Sequence, residues 1–209
     1  MKIIVFGASG GTGNHVVRQA LEAGHQVTAF VRSPEKLGIE HPNLTLCAGD
    51  IMDAEKVEQA IVGQDAVIST LGPTRPPVDG MMQSAAKNIV FAMQKHDVKR
   101  LLSTTGAGVR DPRDQPKLFD KVMKALLTVM AKDVLQDSEA NVDIIRASDL
   151  DWTVVRFPRL VNGQHTGKYR VGYMGKDSGS QLSRADAADF IIRELEKGEH
   201  VRKAPIVSY

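Results

Sequence analysis

The chain has 209 residues, enough for one domain with a substantial buried core. Lys and Arg number 27 against 25 Asp and Glu, a net charge of +2, and the basic residues are interspersed with acids; this excludes a general electrostatic case for nucleic acid or for an acidic membrane surface. Cys47 is the one cysteine, so no intramolecular disulfide forms; no signal-peptide pattern opens the chain, and no apolar run approaches the roughly 20 residues of a membrane helix. A soluble, reduced, cytoplasmic protein is expected, with no metal site.

The first stretch, Lys2 to Gly13 (KIIVFGASGGTG), sets the pattern. Ile3, Ile4, Val5 and Phe6 form a continuous apolar run, which suits a strand buried on both sheet faces. Gly7, Gly10 and Gly13 follow, then a helix with Val16, Val17, Ala20 and Leu21 on one face and a stop at Gly24. Such a strand–turn–helix unit leaves backbone N–H groups at the positive end of the helix dipole and omits β-carbons that would hold a pyrophosphate away. The glycine pattern has its strand before and its helix after, the context a dinucleotide site needs. A purely structural turn is the bland alternative.

The same alternation continues. His25–Val31 (HQVTAFV) reads as a second strand and Leu44–Ala48 as a third, with Cys47 expected as a buried structural thiol. Asp53 is a good N-cap for a helix over Ala54–Ile61. Asp65–Thr70 is a fourth strand, closed by Leu71, Gly72 and Pro73, and the prolines of Thr74–Gly80 forbid regular structure. Met82, Ala85, Ala86, Ile89, Val90 and Met93 form a helical stripe whose methionines read as core filler. Arg100–Thr104 is strand five, followed by a glycine turn at Gly106–Gly108 and a loop at Asp111–Pro116. One long helix or two fill Lys117–Ser148, with Val122, Leu126, Val129 and Met130 on an apolar side. Trp152–Phe157 is strand six, ended by Pro158; Val161–Gly179 reads as an irregular lobe with a short strand at Lys168–Val171. An amphipathic helix over Ala187–Leu195 and a strand over Ala204–Val207 end the chain.

Apolar strands alternating with helices predict an α/β fold: a doubly wound parallel sheet with helices on both faces, in a single domain spanning 1–209 with a small substrate lobe near 161–180. A ligand then sits beyond the carboxyl ends of the strands. An acid about 20 positions past the glycines would bind an NAD ribose diol. Here Arg32 stands nineteen positions after Gly13, and Phe30–Ser33 contains no acid. A guanidinium offers a 2′-phosphate paired hydrogen bonds, and Lys36 adds charge from the same loop, so NADP(H) is expected over NAD(H). Arg32 and Lys36 as solvated surface residues are the alternative.

Taken together, GASGGTG at Gly7–Gly13, Val31–Arg32, Gly49–Asp50, Leu71–Gly72, Arg156–Pro158 and Ser183–Asp186 resemble an atypical branch of the short-chain dehydrogenase/reductase superfamily. The likeness runs from Lys2 to Tyr209 and is closest to the NAD(P)H-binding, NmrA-like proteins that include flavin reductase/biliverdin-IXβ reductase. The resemblance implies that Gly7, Ser9, Gly10, Gly11, Thr12 and Gly13 cradle the pyrophosphate. It implies that Arg32, Ser33 and Lys36 hold the adenosine phosphate, that Asp50 and Ile51 flank the adenine, and that Leu71 and Gly72 pass beneath the cofactor. Thr104, Thr105, Pro158, Arg159 and Leu160 would surround the nicotinamide. Asp50 has its own alternative as a turn residue before Asp53.

Two departures narrow the chemistry. The superfamily's Tyr-x-x-x-Lys pair protonates a carbonyl alkoxide, but none of Tyr169, Tyr173 and Tyr209 is followed by such a lysine. The serine after strand five of the flavin/biliverdin reductase is Gly106 here, with Thr105 before it, and the histidine after strand six is Arg159. A planar conjugated acceptor, a flavin or a linear tetrapyrrole, needs little more than alignment with the nicotinamide. The expected function is an NADPH-dependent reductase of such a small molecule, with Arg159 offsetting negative charge and Thr105 donating a hydrogen bond; flavin would be substrate rather than bound cofactor. The alternative is a redox sensor that binds NADP(H) without turnover and acts through a protein partner. Arg159 as a phosphate clamp or surface ion pair is its bland reading. Leu126–Met130 could pack on the chain's own sheet or on a twin copy, leaving monomer and homodimer open.

Overall fold

The computed structural model describes residues 1–74, 78–116 and 132–209. Strands β1 (Lys2–Phe6), β2 (Gln26–Val31), β3 (Leu44–Ala48), β4 (Ala66–Ser69), β5 (Arg100–Gly106) and β6 (Asp151–Phe157) are joined by helices α1 (Gly11–Glu22), α2 (Ala54–Ile61), α3 (Met81–Lys95) and α4 (Lys132–Ala147). Short strands β7 (Arg159–Val161), β8 (Arg170–Gly172) and β9 (Gln181–Ser183) precede α5 (Arg184–Lys197) and β10 (Ile206–Ser208). The main sheet has the order β3-β2-β1-β4-β5-β6-β10-β8 and is parallel except for β8, which runs antiparallel to β10. The doubly wound parallel sheet expected from the alternation is therefore the fold. The order reverses between β1 and β4, which opens a crevice at their carboxyl ends.

Alternation along β1 divides the core. Ile4 and Phe6 face the layer of α2, α3 and α4, with Met82, Ile89, Met93 and Val142, whereas Ile3 and Val5 face α1 and α5, with Val16, Val17, Ala188 and Ile191. Every side chain from Ile3 to Phe6 is fully buried, as the unbroken apolar run requires. The methionines of α3 are core filler, with Met81, Met82 and Met93 all buried.

Several boundaries differ from expectation for physical reasons. β5 extends through Thr105 to Gly106 because β6 pairs with it that far, so the glycine turn starts later. Cys47 is half-buried rather than buried, since β3 is an edge strand with one face open. The stretch after Val161 is irregular through most of its length, and its one short strand lies at Arg170–Gly172, starting two residues later than read, on the edge of the main sheet. β7 and β9, absent from the sequence reading, form a two-stranded parallel sheet. The Lys117–Ser148 helix is seen over its second half, while Val122, Leu126, Val129 and Met130 lie outside the described residues.

Two buried charges tie these late segments down. Ser183 caps α5 by accepting from the Asp186 N–H at 3.0 Å, and the Asp186 carboxylate accepts from Thr166 N and Oγ1, Gly167 N and the Tyr209 hydroxyl at 2.6–2.8 Å. Burial alone would raise this carboxyl, but the hydrogen bonds from Tyr209, Thr166 and Gly167 prevail and hold its pKa at about 2. Fully buried Arg156 makes a bidentate pair with Asp114 at 2.7 and 2.8 Å and donates to the carbonyls of Ala204 and Val109. Asp114 also accepts from Asp111 N and Met174 N, so one guanidinium joins β6 and β10 to the loops after β5 and β8.

A depressed carboxyl pKa adds stability that is complete above about pH 4 and lost as pH falls toward 2. Urea unfolding at stepped pH is therefore expected to show Asp186→Asn about 2 kcal/mol less stable at pH 7, with the difference shrinking below pH 4. Arg156→Met strands the Asp114 carboxylate and is expected to cost about 3–5 kcal/mol by the same measurement, of which Asp114→Asn added to it recovers part.

Candidate functional site

The seven parallel strands of the main sheet end at one edge, and the first of the turns there, Gly7–Gly13, is the most constrained. Gly7 has φ +76°, which a side chain rarely adopts. Its carbonyl accepts from Gly10 N at 2.9 Å and from Thr70 Oγ1 at 3.2 Å. A β-carbon on Gly13 would lie 2.1 Å from that carbonyl oxygen and 2.7 Å from Thr70 Oγ1, so no other residue fits. Thr70, at the end of β4, holds the turn from the far side of the switch point and was missed by the sequence reading; its place directly after an apolar strand is the one signal that could have marked it.

The start of α1 is bare. Its N-cap Gly10 offers no side chain, and no acid stands in the first turn. The other described helix starts are satisfied: α2 by Asp53, which accepts from Lys56 N, α5 by Ser183, and α3 by Asp137 of α4, which accepts from Met82 N and Gln83 N at 2.9 Å each. Among the α-helices whose N-cap is described, α1 alone has no side chain accepting from its first amides.

A cavity of about 330 Å³ opens in front of it and brings together Gly7, Ser9, Gly10, Arg32, Asp50, Ile51, Leu71 and Gly72 of the expected residues. Arg32 is exposed at the end of β2, with no carboxylate partner among the described residues. Ser33 and Lys36 lie just behind, on the loop and its 3-10 turn (Pro34–Lys36), which α1 steadies through Asn14 to the Leu37 carbonyl and Arg18 to the Gly38 carbonyl. Asp50 lines the cavity, and its carboxylate accepts from Met52 N at 2.9 Å as a turn residue. The Phe30 ring packs so closely that a β-carbon on Gly49 would meet it at 2.5 Å.

Gly11, Thr12 and Gly13 form the first turn of α1 beside this cavity. Thr104, Thr105, Pro158, Arg159 and Leu160 lie apart from it, at the carboxyl ends of β5 and β6 and on β7. Thr104 is buried and Thr105 half-buried; Leu160 packs on the α1–α5 core; Arg159 is exposed, its backbone N–H bonded to Ser180, with no side-chain partner among the described residues. A larger cavity of about 960 Å³ shares Val78 and Met81 with the first and runs between the starts of α3 and α4.

No tyrosine is set up as an acid. Tyr169 donates to Asp189 at 2.6 Å, and burial together with that carboxylate raises its pKa. Tyr173 is raised by burial and lies against the guanidinium of Arg156, 5.8 Å from ring centre. Tyr209 donates to Asp186. Among the described residues no His, Cys, Asp and Glu cluster could hold a metal, and no helix is long and apolar enough to cross a membrane.

The family model for NAD(P)H-binding proteins matches residues 7–198. YwnB of Bacillus subtilis, itself uncharacterized, is 27% identical over 210 residues, covering 96% of this chain and 94% of YwnB. The photosystem II assembly factor Ycf39 of Synechocystis is 25% identical over 99% of this chain, which spans 62% of Ycf39 and less of the reductase and dehydrogenase relatives it also matches. Among solved structures, a candidate NADH-flavin reductase of Streptococcus pneumoniae superposes with a TM-score of 0.79 at 26% identity, covering 100% of this chain and 99% of that one. A short-chain dehydrogenase/reductase of Veillonella parvula in complex with NADP superposes at 0.80 with 21% identity, 100% and 94% covered, a likeness of fold. The bare helix start, the glycine turn that only glycines can form and the match from residue 7 to residue 198 agree: this chain belongs to the family of NAD(P)H-binding proteins, on a Rossmann fold.

Proposed function

We propose that the protein is an NADPH-dependent reductase that passes hydride to a planar conjugated small molecule such as a flavin or linear tetrapyrrole. The observation that carries this reading is an uncapped, acid-free α1 start facing the same cavity as Arg32, which has no carboxylate partner among the described residues. The first fits a diphosphate and the second a 2′-phosphate, whereas a site for the NAD diol would place a carboxylate where Arg32 stands. Gly7, Ser9, Gly10, Gly11, Thr12 and Gly13 hold the pyrophosphate, Arg32, Ser33 and Lys36 the phosphate of the adenosine, and Asp50 and Ile51 the adenine. Leu71 and Gly72 run beneath the cofactor, and Thr104, Pro158 and Leu160 flank its nicotinamide end.

When bound, reduced nicotinamide supplies a hydride. The chain's task is alignment, because its tyrosines are committed to Asp189, Asp186 and the Arg156 guanidinium and none is poised to protonate an alkoxide. That favours an acceptor that delocalises the incoming charge and takes its proton from water. Thr105 donates a hydrogen bond to it, and Arg159, which has no carboxylate partner among the described residues, offsets the negative charge. A second reading, an NADP(H)-binding sensor acting through a protein partner, draws on the same committed tyrosines and on the likeness to an assembly factor. The reductase is placed in the cytoplasm, as monomer or homodimer.

Oxidation of NADPH followed at 340 nm with FMN, FAD, riboflavin and biliverdin tests the reading; turnover with at least one is expected, and none above background with any would favour the sensor. Arg159→Met is expected to lower kcat about tenfold with the Kd for NADPH unchanged. Arg32→Glu is expected to weaken NADPH roughly 10- to 100-fold while leaving NADH within about threefold, measured by titration.

A further inference from the structure

Arg184, the first residue of α5, reaches across to the start of α1. A β-carbon on Gly11 would lie 2.9 Å from its Nε, 3.1 Å from its Cδ and 3.8 Å from its Cζ. Gly11 sits in the first turn of a regular helix and has no positive φ, so the backbone does not demand glycine there; any larger residue would have to displace the Arg184 side chain. The guanidinium donates from Nη1 to Asn162 Oδ1 at 2.8 Å, and among the described residues no carboxylate lies within ion-pair distance of it. Arg184 is half-buried. A cation is thus laid over the positive end of a helix, beside amides that no side chain caps, where electrostatics alone would drive it away. An anion between them turns this repulsion into two attractions.

We infer that Arg184 is a ligand of the nucleotide's pyrophosphate, closing on it from α5 while the amides of the Gly7–Gly13 turn hold it from α1, and that residue 11 is glycine to admit the guanidinium. Asn162, on the loop after β7, orients the fork. This extends the cofactor site to a residue far along the chain from the glycines, and explains a half-buried arginine that no carboxylate compensates among the described residues. It rests on pyridine-nucleotide binding but not on any particular acceptor.

The test measures Kd by titration calorimetry on the full chain for NADPH, NADH and 2′-AMP, which carries the adenosine phosphate and no pyrophosphate. Arg184→Met is expected to weaken NADPH and NADH alike, roughly 10- to 100-fold, with 2′-AMP within twofold of wild type. Arg184→Lys should fall between. Gly11→Val, which pushes the guanidinium aside, should weaken NADPH in the wild-type background and add nothing to Arg184→Met. Unchanged NADPH affinity in Arg184→Met overturns the assignment. So does an equal loss of 2′-AMP, which would mark a packing role, and so do additive losses in the double variant. Wild type that binds NADPH without reducing any acceptor sinks the reductase reading and leaves Arg184 standing; wild type that binds no nucleotide sinks both.

Discussion

One carbonyl oxygen organises the working edge of this protein. The Gly7 carbonyl accepts from Gly10 N and from Thr70 Oγ1, and Gly13 packs against it at a distance no β-carbon allows. These contacts set the direction in which α1 leaves the sheet. They also bind β1 to β4 at the point where the strand order reverses, so the crevice and the bare helix start share one frame. A hydrogen bond of this kind contributes only about 1 kcal/mol. Its importance is geometric, because it fixes the turn from which α1 starts beside the cavity.

The glycines divide the labour. Gly7 is present for its backbone angle and Gly13 for close packing; Gly10 leaves the cap empty, and Gly11 leaves room for a side chain from another element. A glycine-rich turn thus shapes the fold and leaves the helix start uncapped. Removing side chains costs local conformational entropy. That cost is offset where the helix start is left free for an anion.

On the other side of the edge the design is reversed. Arg156 and Asp114 are taken out of water and repaid by a bidentate pair and further hydrogen bonds. Burial would raise the Asp114 carboxyl, but the Arg156 guanidinium prevails and keeps it below the ordinary range. Such a pair is weak as a source of net stability and strong as a constraint, since neither partner tolerates loss of the other. It locks the loops after β5 and β8 against β6. The carboxyl edge therefore carries a rigid frame on both sides of the space between them, consistent with a site that works by alignment.

Much of this was legible in the residues. Local patterns determine strands and helices: the unbroken Ile3–Phe6 run, the six-residue stripe of α3, the Asp53 cap, and the glycine turn with its missing acid near Arg32. Each depends on neighbours a few positions away, which a one-dimensional reading contains. The sequence by itself thus determined the doubly wound fold, the family and the glycine turn at the carboxyl edge of the sheet. Only the tertiary structure decided that β3 is an edge with Cys47 half-exposed, that residues 170–172 join the main sheet, that Arg156 is buried on Asp114, and that Arg184 lies over Gly11. The reason is physical. Those outcomes depend on which distant side chains exclude water from one another, and an arginine reads identically in sequence whether it ends in solvent, on a carboxylate or at a helix start.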